Sequence, residues 1–271
     1  MRWLSLLALT FVFASGASAA SVDGMNIYST SSGSGKATVV LVHGWTCDSS
    51  SWASQVPTLA KTYRVIALDL PGHGRSGSPR DGKFSMDLFA RAVEAVRAEA
   101  GVDKIVLVGH SMGAPVIRQY ARLYPKHVAG LVAVDGPLDM RSFGDFKPPS
   151  VAGAEGLKAR EGMIRSMFTP QTPPELQQRI LAMMLKAPEA TAVGAMGSMM
   201  DPALRTSDVT PMPALAVWAG TNQQLPKVEE ARKILPKYEQ AQVAGTGHFL
   251  MMEKPDEFNR ILIAFVDKTT F

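Results

Sequence analysis

Five short apolar runs, each closed by a glycine-bearing loop, constrain the fold more than any other feature of the chain. Residues 38–42 end at His43-Gly44, 64–68 at Asp69 and Pro71-Gly72, 104–108 at Gly109, 128–134 at Asp135-Gly136, and 214–218 before Gly220. Runs this short, rich in Val, Ile and Leu and apolar on both faces, mark strands buried inside a parallel sheet. A weaker strand is expected over 239–243. Between the runs, 86–100 places Leu88, Phe89, Val93 and Val96 on one side and Arg and Glu on the other. It reads as an amphipathic helix, and so do 112–123, 228–235 and 255–266. The alternation predicts an α/β fold, a mostly parallel central sheet flanked by helices. Ligands on such sheets sit at the C-terminal strand ends, where all of these loops lie.

One stretch breaks the alternation. Residues 137–208 offer no strand, but short amphipathic helices over 162–168, 175–186 and 189–200. They hold eight of the chain's 15 Met, including Met163, Met167, Met184, Met196 and Met199. The expected organisation is a core of 21–136 and 209–271 with an inserted helical cap, 137–208. Its flexible thioethers suit both a small helical core and the wall of an apolar substrate pocket.

Residues 1–20 have another character. Arg2 precedes an apolar run over 3–14, and Ala17-Ser18-Ala19 supplies small residues for cleavage. This is the three-part pattern of a secretory signal peptide, and it predicts a periplasmic or secreted bacterial protein. The run is short for a bilayer and no later segment is longer, so no stable membrane insertion is expected after cleavage. The single cysteine, Cys47, excludes an internal disulfide and a Cys-based zinc site. Neither metal-ligand spacing nor a dinucleotide fingerprint is present, so no metal and no cofactor are expected. The 28 Lys and Arg against 24 Asp and Glu leave only +4, without a basic cluster, and no nucleic-acid partner is expected.

The chemistry concentrates at Gly109-His110-Ser111-Met112-Gly113, between a strand and a helix. A chain reversing that sharply leaves the central serine strained and exposed. The helix that follows points its first N–H groups at any anion forming beside Ser111. Ser111 is therefore the candidate nucleophile. An oxyanion needs two N–H donors, and the residue after the nucleophile, Met112, supplies one.

From 38 to 265 the chain resembles the α/β-hydrolase superfamily, specifically its single-domain members with a helical cap. The resemblance rests on Leu41-Val42-His43-Gly44-Trp45, Asp69-Leu70-Pro71-Gly72-His73-Gly74-Arg75-Ser76, the Ser111 loop, Trp218-Ala219-Gly220, and Gly247-His248-Phe249-Leu250 followed by Glu253-Lys254-Pro255. It implies His248 as the base and the Trp45 N–H as the second oxyanion donor. It also implies that His43, His73 and His110 hold loops by hydrogen bonds. The chain departs from the family where most members carry an acid, three residues after Gly220, because Gln223 stands there. Some members place the acid one strand earlier, which implies Asp135. Asp139 is a second candidate, and a Ser–His pair assisted by Asn222 or Gln223 a third.

Serine rather than aspartate at the loop implies acyl transfer to water, so the expected function is a carboxylesterase-like serine hydrolase acting on a small apolar ester. Other uses of the same site are carbon–carbon bond hydrolysis, lactonase, amidase, perhydrolase or acyltransferase activity, or a non-catalytic binding pocket.

Overall fold

The computed structural model describes residues 20–143, 147–222 and 225–270. The expected signal segment, apart from Ala20, and Gln223 lie outside the described residues. In chain order the elements are β1 (Ser21–Val22), β2 (Met25–Asn26), β3 (Ser29–Ser32), β4 (Thr38–Val42), α1 (Val56–Leu59), β5 (Arg64–Leu68), α2 (Met86–Glu99), β6 (Ile105–His110), α3 (Gly113–Leu123) and β7 (Val128–Val134). After β7 come three helices, α4 (Gly153–Ser166), α5 (Pro174–Leu185) and α6 (Glu189–Met199). The chain then returns through β8 (Ala214–Ala219), α7 (Val228–Arg232), β9 (Tyr238–Val243), α8 (Leu250–Glu253) and α9 (Pro255–Thr270).

Seven strands form one sheet in the order β3-β5-β4-β6-β7-β8-β9. All neighbours are parallel except β3, which runs antiparallel to β5 at one edge. The fold is thus the α/β class that the apolar runs predict. The reason is visible in burial. Every residue of β4, β6 and β8 is buried, because helices cover both faces of the central strands. At the other edge β9 alternates buried ends with exposed polar residues, as a strand with one neighbour can.

Among the elements that differ from the sequence expectation, two are informative. β3 reads Ser-Thr-Ser-Ser and carries no apolar run; it is held by backbone pairing to β5. α4 begins at Gly153 rather than 162, and its inward residues are Gly156, Arg160 and Ile164. A charged side chain thus stands in the buried stripe. Arg160 is stabilised there by donating from Nη2 to the carbonyls of Met184 and Ala187, at the C-terminal end of α5.

The core is continuous. Ile164, Ile180, Met184, Ala192 and Met196 of α4 to α6 belong to the same apolar cluster as the sheet. No helix among the described residues is long and apolar enough to cross a membrane.

Candidate active site

The turn between β6 and α3 sets the geometry of Ser111. Its φ is +52°, in the left-handed region that disfavours residues with a Cβ. Its N–H donates to the Val134 carbonyl at 2.9 Å, and its carbonyl accepts from Ala114 N–H at 2.9 Å. The flanking glycines are required by close approach. A Cβ on Gly109 would lie 2.2 Å from the Gly113 oxygen, and one on Gly113 would lie 2.6 Å from the Val42 oxygen. Strand, turn and helix can pack this tightly only without those side chains.

His248 follows β9 and lies just before α8. Its Nδ1–H donates to Asp135 Oδ2 at 2.6 Å. Asp135 ends β7 with φ +45°, so it too turns sharply off the strand. Its other oxygen, Oδ1, accepts from Ala219 N–H at 2.8 Å and from the Asn222 amide at 2.7 Å. Burial alone would push the Asp135 carboxyl up. The His248 hydrogen bond and charge, with the Ala219 N–H, outweigh it and hold the group below the usual carboxylate range. Asp139 lies elsewhere, with both oxygens engaged by the Arg141 guanidinium. Asn222 meets the carboxylate rather than the imidazole. Gln223 falls outside the described residues.

The base loop has supports that its sequence did not advertise. The His248 N–H donates to the Met167 carbonyl at 3.0 Å, at the end of α4. Gly247 N–H is held by both carboxylate oxygens of Glu253, which also accepts from Thr172 Oγ1. A Glu six residues after a loop glycine is a weak signal, and a carbonyl partner leaves none.

Three further histidines, His110, His43 and His73, are buried and hold loops by hydrogen bonds. His110 Nε2–H donates to the His248 carbonyl at 2.9 Å, and the two rings lie 4.8 Å apart. Burial, with the nearby His248, pushes the His110 ring down to about 3. His43 accepts from Leu70 N–H at Nε2 and donates to the Gly44 carbonyl from Nδ1. His73 donates to the Pro71 carbonyl.

Ser111, His248 and Asp135 line one cavity of about 200 Å³. Gly44, Trp45 and Cys47 of the loop after β4 form one wall. Met163, Met167, Met184, Met196 and Met199 of the α4–α6 region form the other. Among the described residues, neither Lys nor Arg lines it. Ser111 Oγ is not hydrogen-bonded to His248; the two side chains share the cavity. The N–H groups of Trp45 and Met112 donate to no protein acceptor among the described residues. The Trp45 indole is anchored separately, donating to the Ala192 carbonyl of α6 at 2.9 Å. Burial and the neighbouring Asp48 push the Cys47 thiol up, which leaves it a small neutral wall residue rather than a thiolate.

With this geometry in view, comparison with known proteins is decisive at the family level. The alpha/beta hydrolase fold family matches residues 37–255. The chain belongs to that family. A dihydrolipoyllysine-residue acetyltransferase component of an acetoin cleaving system from Pseudomonas putida is 30% identical over 87% of this chain. This chain spans 65% of that relative's length. A 2-hydroxy-6-oxononadienedioate/2-hydroxy-6-oxononatrienedioate hydrolase from Klebsiella pneumoniae is 26% identical over 89% of this chain and 91% of its own. Among solved structures, a thermophilic esterase from Thermogutta terrifontis superposes with a TM-score of 0.82 at 25% identity, covering 94% of this chain and 99% of the esterase.

Proposed function

We propose that this family member is a serine esterase that hydrolyses small, uncharged, apolar esters through an acyl-enzyme on Ser111. The observation that carries the reading is the joint placement of Ser111, His248 and its Asp135 partner in one thioether-walled cavity. His248 Nε2 takes the proton of Ser111 Oγ as Oγ attacks the ester carbonyl. The contact between them closes when substrate is in place. The oxyanion of the tetrahedral intermediate accepts hydrogen bonds from the N–H groups of Trp45 and Met112. The carbon–oxygen bond to the alcohol breaks, and the alcohol leaves with the proton held by His248. Water, deprotonated by His248, then attacks the acyl-enzyme, releases the acid and restores Ser111. Asp135 orients the imidazole and stabilises its cation throughout.

Cavity size and charge narrow the substrate. An apolar cavity of about 150 Å³ holds a benzene-sized molecule, so this one suits an acyl group of similar bulk. The Klebsiella relative is named for a dicarboxylate substrate. A second carboxylate here would meet no cation in the lining and would face Asp135. That favours ester hydrolysis over carbon–carbon cleavage of a diacid. Residues 137–208 act as the cap that completes the pocket. The pattern of residues 1–20 supports export to the periplasm or medium, checked by N-terminal sequencing of the exported protein, expected to begin near Ser21.

The test of the function is hydrolysis of aryl esters of increasing acyl length by the protein and by Ser111→Ala. Turnover should peak at short to medium acyl chains and fall by at least about 10⁴-fold in the variant. Equal rates in both proteins, or no turnover at any length, would overturn the esterase reading.

A further inference from the structure

We propose that Asn222 is a positioning residue for the base, acting through Asp135: its amide clamps one carboxylate oxygen so that the other is presented to His248. The proposal rests on the roles given above to Ser111, His248 and Asp135. The Asp135 side chain is 8% exposed and His248 19%. A carboxylate that buried needs donors on both oxygens. His248 occupies Oδ2 alone, at 2.6 Å, while Ala219 N–H and Asn222 Nδ2–H share Oδ1. A carboxylate only accepts, so the amide nitrogen of Asn222 must face it.

The arm that carries Asn222 is itself fixed. Its N–H donates to the Ala219 carbonyl at 3.1 Å. Its carbonyl accepts from Gln242 Nε2 at 2.8 Å, and the same nitrogen donates to the Ala219 carbonyl at 2.9 Å. A side chain of β9 thus braces the loop after β8, which braces the acid at the end of β7. The residue types fit this arrangement. With the acid at position 135, a carboxylate on the loop after β8 would repel it, whereas an amide donates to it. The missing acid at Gln223 and the amide at Asn222 then have one explanation: the loop has exchanged an acid for a donor.

Other charged groups near the pair are accounted for. His110, from β6, is neutral above about pH 3. Glu253, from α8, is committed to Gly247 N–H and Thr172. Asp139, beyond β7, is paired with Arg141.

The test is the titration of the His248 ring by NMR in the full-length protein, in Asn222→Ala and in Asn222→Asp, with the pH profile of kcat/KM measured beside it. Removing the donor leaves the Asp135 charge less satisfied and strengthens its hold on the imidazolium. The ring should therefore titrate higher, by about half a pH unit in Asn222→Ala and about one in Asn222→Asp, where a second charge is added. The acid limb of kcat/KM should move with it, and kcat should fall about tenfold with little change in KM. Asn222→Asp keeps the side chain's shape, so the readout survives a folding failure of the smaller variant. A His248 ring that titrates as in the unmodified protein in both variants overturns the proposal, whatever happens to activity. Loss of the esterase reading gives a different result: no Ser111-dependent turnover, with the shift in His248 still present.

Discussion

At the scale of single residues, the most informative position is Asp135. Its φ of +45° is one that Asn tolerates better than most residues, so Asp135→Asn changes charge without changing backbone preference or volume. The hydrogen bonds then dictate the outcome. Two donors, from Ala219 and Asn222, already point at one side of the side chain. The new amide must turn its oxygen toward them and its NH2 toward His248 Nδ1. The imidazole can accept that bond only with its proton on Nε2, the atom that must receive the Ser111 proton. Turnover of an aryl ester by Asp135→Asn should therefore fall by about 10⁴-fold while the far-UV spectrum stays unchanged. A variant within tenfold of the parent would remove Asp135 from the mechanism. Ser111 stood out as a candidate in the sequence because it sits in a short glycine-flanked motif whose backbone demands are local, whereas His248 was reached through the family resemblance. Asp135 was reached the same way, and Asn222 as a donor to it was not legible at all, because its task depends on which strand carries the acid.

At the scale of elements, legibility followed burial. The central strands β4 to β8 announced themselves because two-sided burial leaves continuous apolar runs. β3 was silent because an edge strand of Ser and Thr, held by backbone pairing to β5 and a hydrogen bond from Arg64 to Ser31, needs no apolar run. The first turns of α4 were hidden because its buried stripe includes Arg160, whose guanidinium finds its partners at the end of a different helix. The α4–α6 region nevertheless supplies five methionines to the lining of the cavity that Ser111 also lines. Met199, on α6, is only half-buried, so shortening it should perturb the core little while lengthening the pocket. Each methylene that gains room in an apolar pocket is worth about 1–3 kcal/mol in kcat/KM. In Met199→Ala the preferred acyl chain should grow by about two carbons, with kcat/KM for the longer esters rising about tenfold or more. A chain-length profile identical to the parent's would show that Met199 does not bound the acyl site.

At the scale of the whole molecule, the continuous core ties stability to pH through histidines that never reach water. His43, His73 and His110 are buried under the strand ends, and the His43 and His73 rings lie 5.0 Å apart. Burial, helped by the neighbouring ring, holds His73 and His110 down at about 3, and burial lowers His43 as well. In the unfolded chain these rings titrate near their ordinary 6.5. Above that pH neither state binds the proton, and the contribution to stability is complete. As pH falls from 6.5 toward 3 the unfolded chain takes up protons that the folded chain refuses, so stability is lost across that window. Each such ring contributes a slope of up to about 1.4 kcal/mol per pH unit. Asp135 acts in a lower window. Its carboxyl is depressed in the fold, so its contribution is present above its unfolded value near 3.8 and is lost as pH falls through the folded one. Urea unfolding measured between pH 7 and 5 should therefore show stability already dropping, by up to the combined slope of the buried rings. His73→Gln lowers stability at every pH because it disturbs packing against Phe89, but it also removes one proton-binding group from the unfolded state. Its stability should consequently fall less steeply with acid, by about one proton's worth of slope. Parallel pH profiles for the two proteins would mean that the His73 ring takes up its proton inside the fold, and that the buried histidines are not what limits this molecule in acid.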